Sequence, residues 1–348
     1  MRVAVYAIAK NESKHVQRWA ESARDADHII LVDTGSEDNT VALAEEAGVT
    51  VFVRRIQPWR FDTARNVSLA LVPDDVDYCI ALDLDEVLVD GWRNALEKAH
   101  AAGWTRPRYQ YTWSWNADGS PGLVYGGDKI HARHGYTWKH PVHEVITPLT
   151  QETQGWVDLR IEHHPDHSKS RSQYLPLLAQ SVQEDPNDDR NAYYYARELL
   201  FAGRREESKH EFMRYLALPT ATWDAERSKA MRFLAQLEPA RAEHWLLRAT
   251  AEAPHRREPW VDLAEHYHNK KMWSLSFGAA VRALDIKEKP LEYLCEADAW
   301  GAKPYDLAAI AAYWMGNKDT AAVMGQQAVE LSPNDARLRG NLEFYLSP

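Results

Sequence analysis

Cysteine is scarce in this sequence, and its scarcity excludes one class of fold. The 348 residues include two cysteines, Cys79 and Cys295, which lie far apart in the chain. Small secreted domains depend on dense disulfide frameworks, which two distant cysteines cannot supply. Cys79 lies within an apolar run and Cys295 follows Leu294. We predict that both are buried, reduced thiols of an intracellular protein.

Long hydrophobic runs are also lacking. A helix needs about 20 consecutive, mostly apolar residues to cross a bilayer, and no stretch of this chain approaches that length. The first residues, MRVAVYAIAKNE, become polar too early for a signal peptide. Together these two features predict a soluble, cytoplasmic protein that has no membrane span.

The chain has no excess of positive charge. It carries 41 Lys and Arg residues against 51 Asp and Glu residues, a net charge of −10. Tight binding to a phosphate backbone depends on clustered basic residues, so this balance disfavours nucleic acid as a partner. A local basic groove would still permit such binding, and this alternative stays open.

The first half of the chain alternates strand and helix patterns. Short apolar runs such as RVAVYAIA, HIILVD and YCIALD are separated by segments with helical spacing. This order predicts a mainly parallel sheet with helices on both faces, in which ligands lie at the carboxyl ends of the strands. Polar residues follow the three strongest strands, at Lys10 to Glu12, at Asp33 to Ser36 and at Asp83 to Glu86.

The second half is helical and weakly repetitive. Similar segments begin near Asn191, Glu258 and Pro304, and Gly203 and Gly316 occupy the same place between two helix patterns. The repeat resembles tetratricopeptide repeats of about 34 residues. We therefore predict two domains, an α/β domain at 1–167 and a helical repeat domain at 168–348.

Asp83 and Asp85 form a D-x-D motif at the end of a predicted strand. In an extended strand, residues two apart project to the same side. Two such carboxylates suit a hard divalent cation, Mg²⁺ or Mn²⁺, which would bridge diphosphate oxygens. The alternative is a solvated turn whose acids cap a helix.

Four segments of the first half, AKNE, ILVDTGSEDNT, FDTARNVSL and ALDLDE, carry a more specific signal. Their order and spacing resemble the family 2 glycosyltransferases, and in particular a branch that is often followed by tetratricopeptide repeats. The resemblance covers nearly the whole chain. It implies a GT-A (Rossmann-like) α/β domain with a mainly parallel sheet, followed by an all-α tetratricopeptide-like domain.

The resemblance also implies roles for individual residues. Asp33 and Arg65 would lie near the base or ribose of a nucleotide, and Asp83 and Asp85 would be the metal-binding pair, with Asp85 the preferred direct ligand. Three further residues would border the nucleotide pocket: Lys10, Asn11 and Glu12. Asn66 is interpreted as shaping the local backbone rather than contacting the donor.

The region after Asp90 is rich in aromatic residues, which serve either as platforms for sugars or as ordinary core. It predicts a short antiparallel hairpin that carries the HPVHE element. Glu144 of this element is the candidate general base, Asp128 is the rival, and a structural role for both stays open.

A histidine after the last strand is the remaining candidate metal ligand. The resemblance favours His163, with His164 and His143 as alternatives, because neutral imidazole is a good ligand for Mn²⁺ beside aspartate. A hydrogen-bonded linker histidine, with no metal, is the other interpretation.

These observations favour a metal-dependent, inverting glycosyltransferase. It would move a sugar from a nucleotide-sugar donor, with UDP the expected nucleotide, to a glycan, a peptide or protein, or another acceptor. The helical half would hold the acceptor or a partner protein. The alternatives are a non-catalytic repeat scaffold and a transferase acting on modified DNA bases. A nucleotidyltransferase ranks below these, because no glycine-rich loop follows the first strand.

Overall fold

A computed structural model of the protein describes residues 1–116, 118–166 and 172–347. The chain divides into two compact units, Met1–Glu184 and Asp185–Pro348. The predicted boundary between residues 167 and 168 lies outside the described residues. Both cysteines are buried and unpaired, as predicted.

The first unit combines strands with flanking helices. Its strands are β1 (Val3–Ala9), β2 (His28–Asp33), β3 (Thr50–Val53), β4 (Tyr78–Ala81), β5 (Glu86–Leu88), β6 (Arg106–Thr112), β7 (Val124–Gly127), β8 (Ile130–Ala132), β9 (Tyr136–Lys139), β10 (Val145–Pro148) and β11 (Gln154–His163). Its helices are α1 (Val16–Ser22), α2 (Thr40–Glu46), α3 (Phe61–Ala70), α4 (Trp92–Ala101) and α5 (Tyr174–Glu184).

The central sheet has the strand order β3-β2-β1-β4-β8. Strands β1 to β4 are parallel, and β8 adds to β4 in the antiparallel sense. The apolar runs form these strands because both faces are covered, and β1 is buried along almost its whole length. The predicted mainly parallel sheet with helices on both faces is confirmed for this unit.

A second sheet and a hairpin complete the first unit. The second sheet has the order β5-β11-β6-β7, and β9 pairs with β10 as an antiparallel hairpin. This hairpin is the one predicted from the aromatic region. Glu144 lies in the loop that joins its two strands, immediately before β10.

The D-x-D motif does not lie in a strand. Strand β4 ends at Ala81, and the Glu86 backbone N–H donates to the Asp83 carbonyl at 2.8 Å, which closes a turn before β5. The prediction that Asp83 and Asp85 share one side of an extended strand is therefore wrong. The turn forms because Asp83 N–H also donates to the Glu86 carboxylate at 2.8 Å, so backbone and side chain reinforce it.

The second unit consists of helices. They are α6 (Asp189–Phe201), α7 (Arg205–Ala217), α8 (Asp224–Leu237), α9 (Ala242–Glu252), α10 (Arg257–Asn269), α11 (Trp273–Asp285), α12 (Ala297–Trp300), α13 (Lys303–Trp314), α14 (Lys318–Leu331) and α15 (Ala336–Leu346), with a 3-10 turn at Pro239–Arg241. In the described residues, no helix has the length and apolar character needed to cross a bilayer.

These helices pack as successive hairpins, and equivalent positions make equivalent contacts. Ser208 at the start of α7 donates its hydroxyl to the Ala196 carbonyl of α6 at 2.8 Å. Ser276 of α11 makes the same bond to Ala264 of α10 at 2.9 Å. The predicted helical repeat is therefore confirmed by the hairpins themselves.

One buried carboxylate stands out in this unit. Glu226 of α8 accepts a hydrogen bond from the Tyr293 hydroxyl at 2.5 Å, and the Tyr215 hydroxyl lies 3.4 Å from its other oxygen. Burial raises the pKa of Glu226 to about 7, although the bond from Tyr293 opposes the shift.

Candidate functional site

Two loops at the carboxyl ends of β1 and β2 hold each other in place. Asn11 adopts a left-handed backbone conformation, with φ of 57°. Its N–H donates to the Ser36 hydroxyl and its side-chain carbonyl accepts from the Glu37 N–H, both at 2.8 Å. The Glu12 N–H donates to the Thr40 hydroxyl, also at 2.8 Å. The KNE and DTGSEDNT segments thus form one wall of the strand edge, and Lys10 is exposed beside it.

Asp33 stabilises the second of these loops through hydrogen bonds to its backbone. It is buried, and one carboxylate oxygen accepts from the backbone N–H groups of Gly35 and Ser36 at 2.9 Å each. The turn requires Gly35, whose φ of 114° is unfavourable for a residue with a side chain. Contact between Asp33 and a nucleotide stays a prediction, since the observed partners belong to its own loop.

Arg65 of α3 is the centre of the site. It is buried, with its Nε donating to Glu144 Oε1 at 2.5 Å and its Nη2 donating to Asp83 Oδ1 at 2.8 Å. Its guanidinium stacks over the Trp138 ring, 4.9 Å from the ring centroid. The fold thus brings together the FDTARN, DLDE and HPVHE segments, which are distant in the sequence. No acceptor among the described residues lies within hydrogen-bonding distance of Arg65 Nη1.

Sequence reasoning missed two members of this group. Lys129 Nζ lies 2.7 Å from Asp83 Oδ2 and 3.0 Å from Glu86 Oε1. Glu86 is buried and also accepts from the Tyr111 hydroxyl at 2.6 Å. Lys129 adjoins Asp128, the rival base, in a turn between two short strand patterns, and this adjacency was the available signal. We call Arg65, Asp83, Glu86, Lys129 and Glu144 the Arg65 cluster.

The charges of the Arg65 cluster are interdependent. Burial by itself raises the pKa of Asp83, but Arg65 and Lys129 outweigh burial and hold that pKa well below its usual range. Burial raises the pKa of Glu86 even though Lys129 opposes the shift. Burial favours the neutral form of Arg65, yet Asp83 and Glu144 raise its pKa. The cluster therefore keeps two fixed cations at the strand edge.

The structure separates the two candidate bases. Glu144 joins the Arg65 cluster, whereas Asp128 Oδ2 accepts from Arg106 Nη2 at 3.1 Å. The backbone interpretation of Asn66 is confirmed, because its side chain exchanges hydrogen bonds of 2.9 Å with both the N–H and the carbonyl of Trp138. Geometry favours Glu144 over Asp128 as the general base, and this role stays a prediction.

Asp85 contacts a different group from Asp83. The Nε2 atom of His163 lies 3.4 Å from Asp85 Oδ2, and its Nδ1 donates to the Trp113 carbonyl at 3.0 Å. Burial by itself lowers the pKa of His163, but the contacts with Asp85 and Trp113 outweigh it and raise that pKa. The side chains of the alternatives contact other groups: His164 Nε2 lies 3.7 Å from Glu162 Oε2, and His143 packs edge-on against Tyr174.

The donor set permits a partial fit to a divalent cation. Within the described ranges, no group of three or more His, Cys, Asp or Glu residues is arranged to hold a metal ion. Asp85 and His163 nevertheless present one oxygen and one nitrogen side by side. Mg²⁺ and Mn²⁺ sites often take one or two protein ligands and complete their shell with phosphate oxygens and water. Asp83 fits less well, because both of its oxygens contact cations.

The chain is similar in sequence to known glycosyltransferases and repeat proteins. Residues 5–113 match the family model of Glycosyl transferase family 2. A TPR repeat-containing protein of Synechococcus elongatus is 23% identical over 81% of this chain and 75% of its own length. An uncharacterized glycosyltransferase of Rickettsia conorii is 30% identical over 29% of this chain, and the match spans 35% of that protein. The predicted resemblance to family 2 glycosyltransferases is confirmed for the N-terminal domain.

Similar solved structures include helical repeat proteins. The crystal structure of MamA matches 47% of this chain and 89% of its own at 16% identity, with a TM-score of 0.37. That of YrrB, described as a TPR protein with an unusual peptide-binding site, matches 50% of this chain and 83% of its own at 16% identity, with a TM-score of 0.36. Scores this low establish no common fold, so the repeat architecture rests on the hairpins described above.

Proposed function

We propose that the family 2 glycosyltransferase domain at the N terminus is an active, metal-dependent and inverting transferase. It takes a sugar from a nucleotide-sugar donor, with UDP as the nucleotide, and passes it to a nucleophile of an acceptor. The observation that carries the proposal is Arg65. Its guanidinium is held by Asp83 and Glu144 at the carboxyl ends of the strands, the edge at which a parallel sheet binds its ligands.

The strand edge suits an anionic ligand of this kind. Arg65 and Lys129 are cations held in fixed positions by carboxylates, so little reorganisation is needed when a phosphate arrives. Their charges are already shared with Asp83, Glu86 and Glu144, so a diphosphate requires further positive charge. Asp85 and His163 would hold a divalent cation, which supplies that charge to the departing nucleoside diphosphate.

Glu144 is the proposed general base. Its bond from Arg65 Nε fixes the orientation of the carboxylate. The acceptor hydroxyl loses its proton to Glu144 while its oxygen attacks C1 of the sugar. The bond from C1 to the donor phosphate breaks at the same time, and its electron pair leaves with the nucleoside diphosphate. Attack on the face opposite the leaving group inverts the configuration at C1.

Nucleotide binding tests this proposal. We would titrate the full chain with UDP, GDP, ADP and TDP in the presence of Mn²⁺ by calorimetry, and assay nucleotide release from the corresponding sugar nucleotides. Arg65→Lys should weaken UDP binding at least about tenfold, because Lys cannot bond Asp83, Glu144 and a ligand together. Arg93→Lys is the matched control, since Arg93 also pairs with a carboxylate, that of Asp27, away from this edge.

Two results would overturn the proposal. One is that none of the four nucleoside diphosphates binds the wild-type chain. The other is that Arg65→Lys and Arg93→Lys bind UDP equally well. EDTA should abolish nucleotide release, and release that survives EDTA would refute metal dependence.

A further inference from the structure

One strand carries aromatic side chains out of the core and into solvent. Tyr109, Tyr111 and Trp113 are two residues apart, so they project from the same face of β6 and its continuation. Their exposed fractions rise along the chain from 1% and 5% to 46%. The ladder thus begins in the core and ends on an exposed indole at the carboxyl edge of the strand.

Trp113 is fixed relative to the proposed metal-binding pair. Its ring stacks on the His163 imidazole, with centroids 4.4 Å apart and planes 23° apart. Its carbonyl accepts from His163, and its N–H donates to the Leu123 carbonyl at 2.8 Å. Since His163 also contacts Asp85, the exposed indole is held directly against one member of the pair and one side chain away from the other. A large apolar surface held rigidly beside a polar site is typical of a binding platform.

The chemistry of an indole face selects among ligands. The face of an aromatic ring carries partial negative charge, so it repels phosphates and carboxylates and attracts the C–H bonds of a neutral ring. The donor diphosphate is better served by the cations of the Arg65 cluster. A pyranose presents a flat C–H face with hydroxyls around its edge, and this shape matches an exposed, immobilised indole.

We propose that Trp113 is the platform of the acceptor site and that the acceptor is a neutral pyranose, free or at the end of a glycan. This proposal rests on the proposed function, because it assigns the acceptor to the same strand edge. It selects the carbohydrate among the acceptors that the sequence left open, a glycan or a peptide.

Trp156 provides a matched control. Its side chain is 53% exposed, and its ring lies against Gly126, where an added Cβ would come within 2.8 Å of it. The Tyr109 ring covers Gly127, so the Trp156 ring, which covers the adjacent Gly126, lies on the opposite face of the sheet from Tyr109 and Tyr111. Trp156→Ala therefore removes an exposed indole of similar size from the same sheet without touching the proposed platform.

The experiment is saturation-transfer NMR on the full chain with UDP and diamagnetic Mg²⁺. The probes are methyl β-D-glucopyranoside and methyl β-D-galactopyranoside, and a neutral Gly-Ser-Gly peptide with blocked ends tests the peptide alternative. Saturation should reach the C–H protons of at least one glycoside in the wild-type chain and in Trp156→Ala. Trp113→Ala should lower the affinity for that glycoside about tenfold, and Trp113→Phe should restore part of it. UDP binding by the control variant Trp156→Ala should stay within twofold of wild type.

Several outcomes would overturn the platform. They are absence of glycoside binding to a wild-type chain that binds UDP, equal effects of Trp113→Ala and Trp156→Ala, and preferential binding of the peptide. A Trp113→Ala chain that loses affinity for a UDP-sugar but not for UDP would show that the indole holds the donor sugar instead. If UDP itself does not bind, the proposed function fails, and glycoside binding still decides the platform separately.

Discussion

Lys271 is the residue where the repeat unit departs from its own pattern. Three helix hairpins have the same break, two residues before their second helix, at Gly203, Lys271 and Gly316. The backbone φ angles there are 75°, 58° and 82°, all in the left-handed region. The hydrogen bonds also correspond, because the next residue along donates to the carbonyl five positions back at 2.9 Å in every case. This is the Schellman arrangement, in which glycine is favoured.

These angles allow an estimate of how much Lys271→Gly should change the free energy of unfolding. The left-handed conformation destabilises the folded state by roughly 1–2 kcal/mol when the residue has a side chain, and glycine avoids this cost. Glycine also lowers the stability by about 0.4–1 kcal/mol, because it increases the conformational entropy of the unfolded chain. We expect a net stabilisation of about 0.5–1 kcal/mol. For a unit of this size that corresponds to a rise in Tm of about 1–4 °C.

Thermal and urea unfolding of the full chain, followed by circular dichroism, would measure this change. Lys270→Gly is the control, because Lys270 has a φ of −88° and its substitution relieves no strain. It should lower stability by about 0.5–1 kcal/mol. A Lys271→Gly chain that is less stable than wild type, or no more stable than Lys270→Gly, would refute the reasoning.

Two further predictions concern buried charge. Lys129→Met should destabilise the first unit by about 2–4 kcal/mol at pH 7, because Asp83 and Glu86 lose the cation between them, and less at pH 4, where Glu86, whose pKa is raised by burial, takes up a proton. Urea unfolding at both pH values would measure this, and a pH-independent loss would count against it. Glu226 has a folded-state pKa of about 7 against an ordinary 4.5, so the folded state holds an extra proton between those values. Wild-type stability should fall by up to about 3 kcal/mol as pH rises from 4.5 through 7, and Glu226→Gln should remove this fall. Equal pH profiles for the two proteins would show that the pKa of Glu226 is not raised in the folded state.

Part of the first unit was predicted from the sequence, because the local spacing of apolar residues indicates individual strands and helices, whereas the second sheet, β5-β11-β6-β7, was not predicted. Strands β1, β2 and β4 and helices α1 to α3 lie where apolar periodicity placed them. The exception is the D-x-D turn. There, hydrogen bonds between Asp83 and Glu86 override the extended conformation that the apolar run suggested.

The candidate site was also predicted only in part from the sequence. The family resemblance placed Asp33, Arg65 and Asp83 around one pocket at the strand edge, and the structure brings Arg65 to Asp83 there, whereas the observed partners of Asp33 belong to its own loop. The sequence did not predict that Lys129 would reach Asp83, or that Glu144, 79 residues from Arg65, would bond its guanidinium. Ion-pair partners depend on how loops and hairpins fold back over the sheet, and no local period encodes that. Residue spacing determined the strands and the edge, and tertiary packing alone decided which charges neutralise one another there.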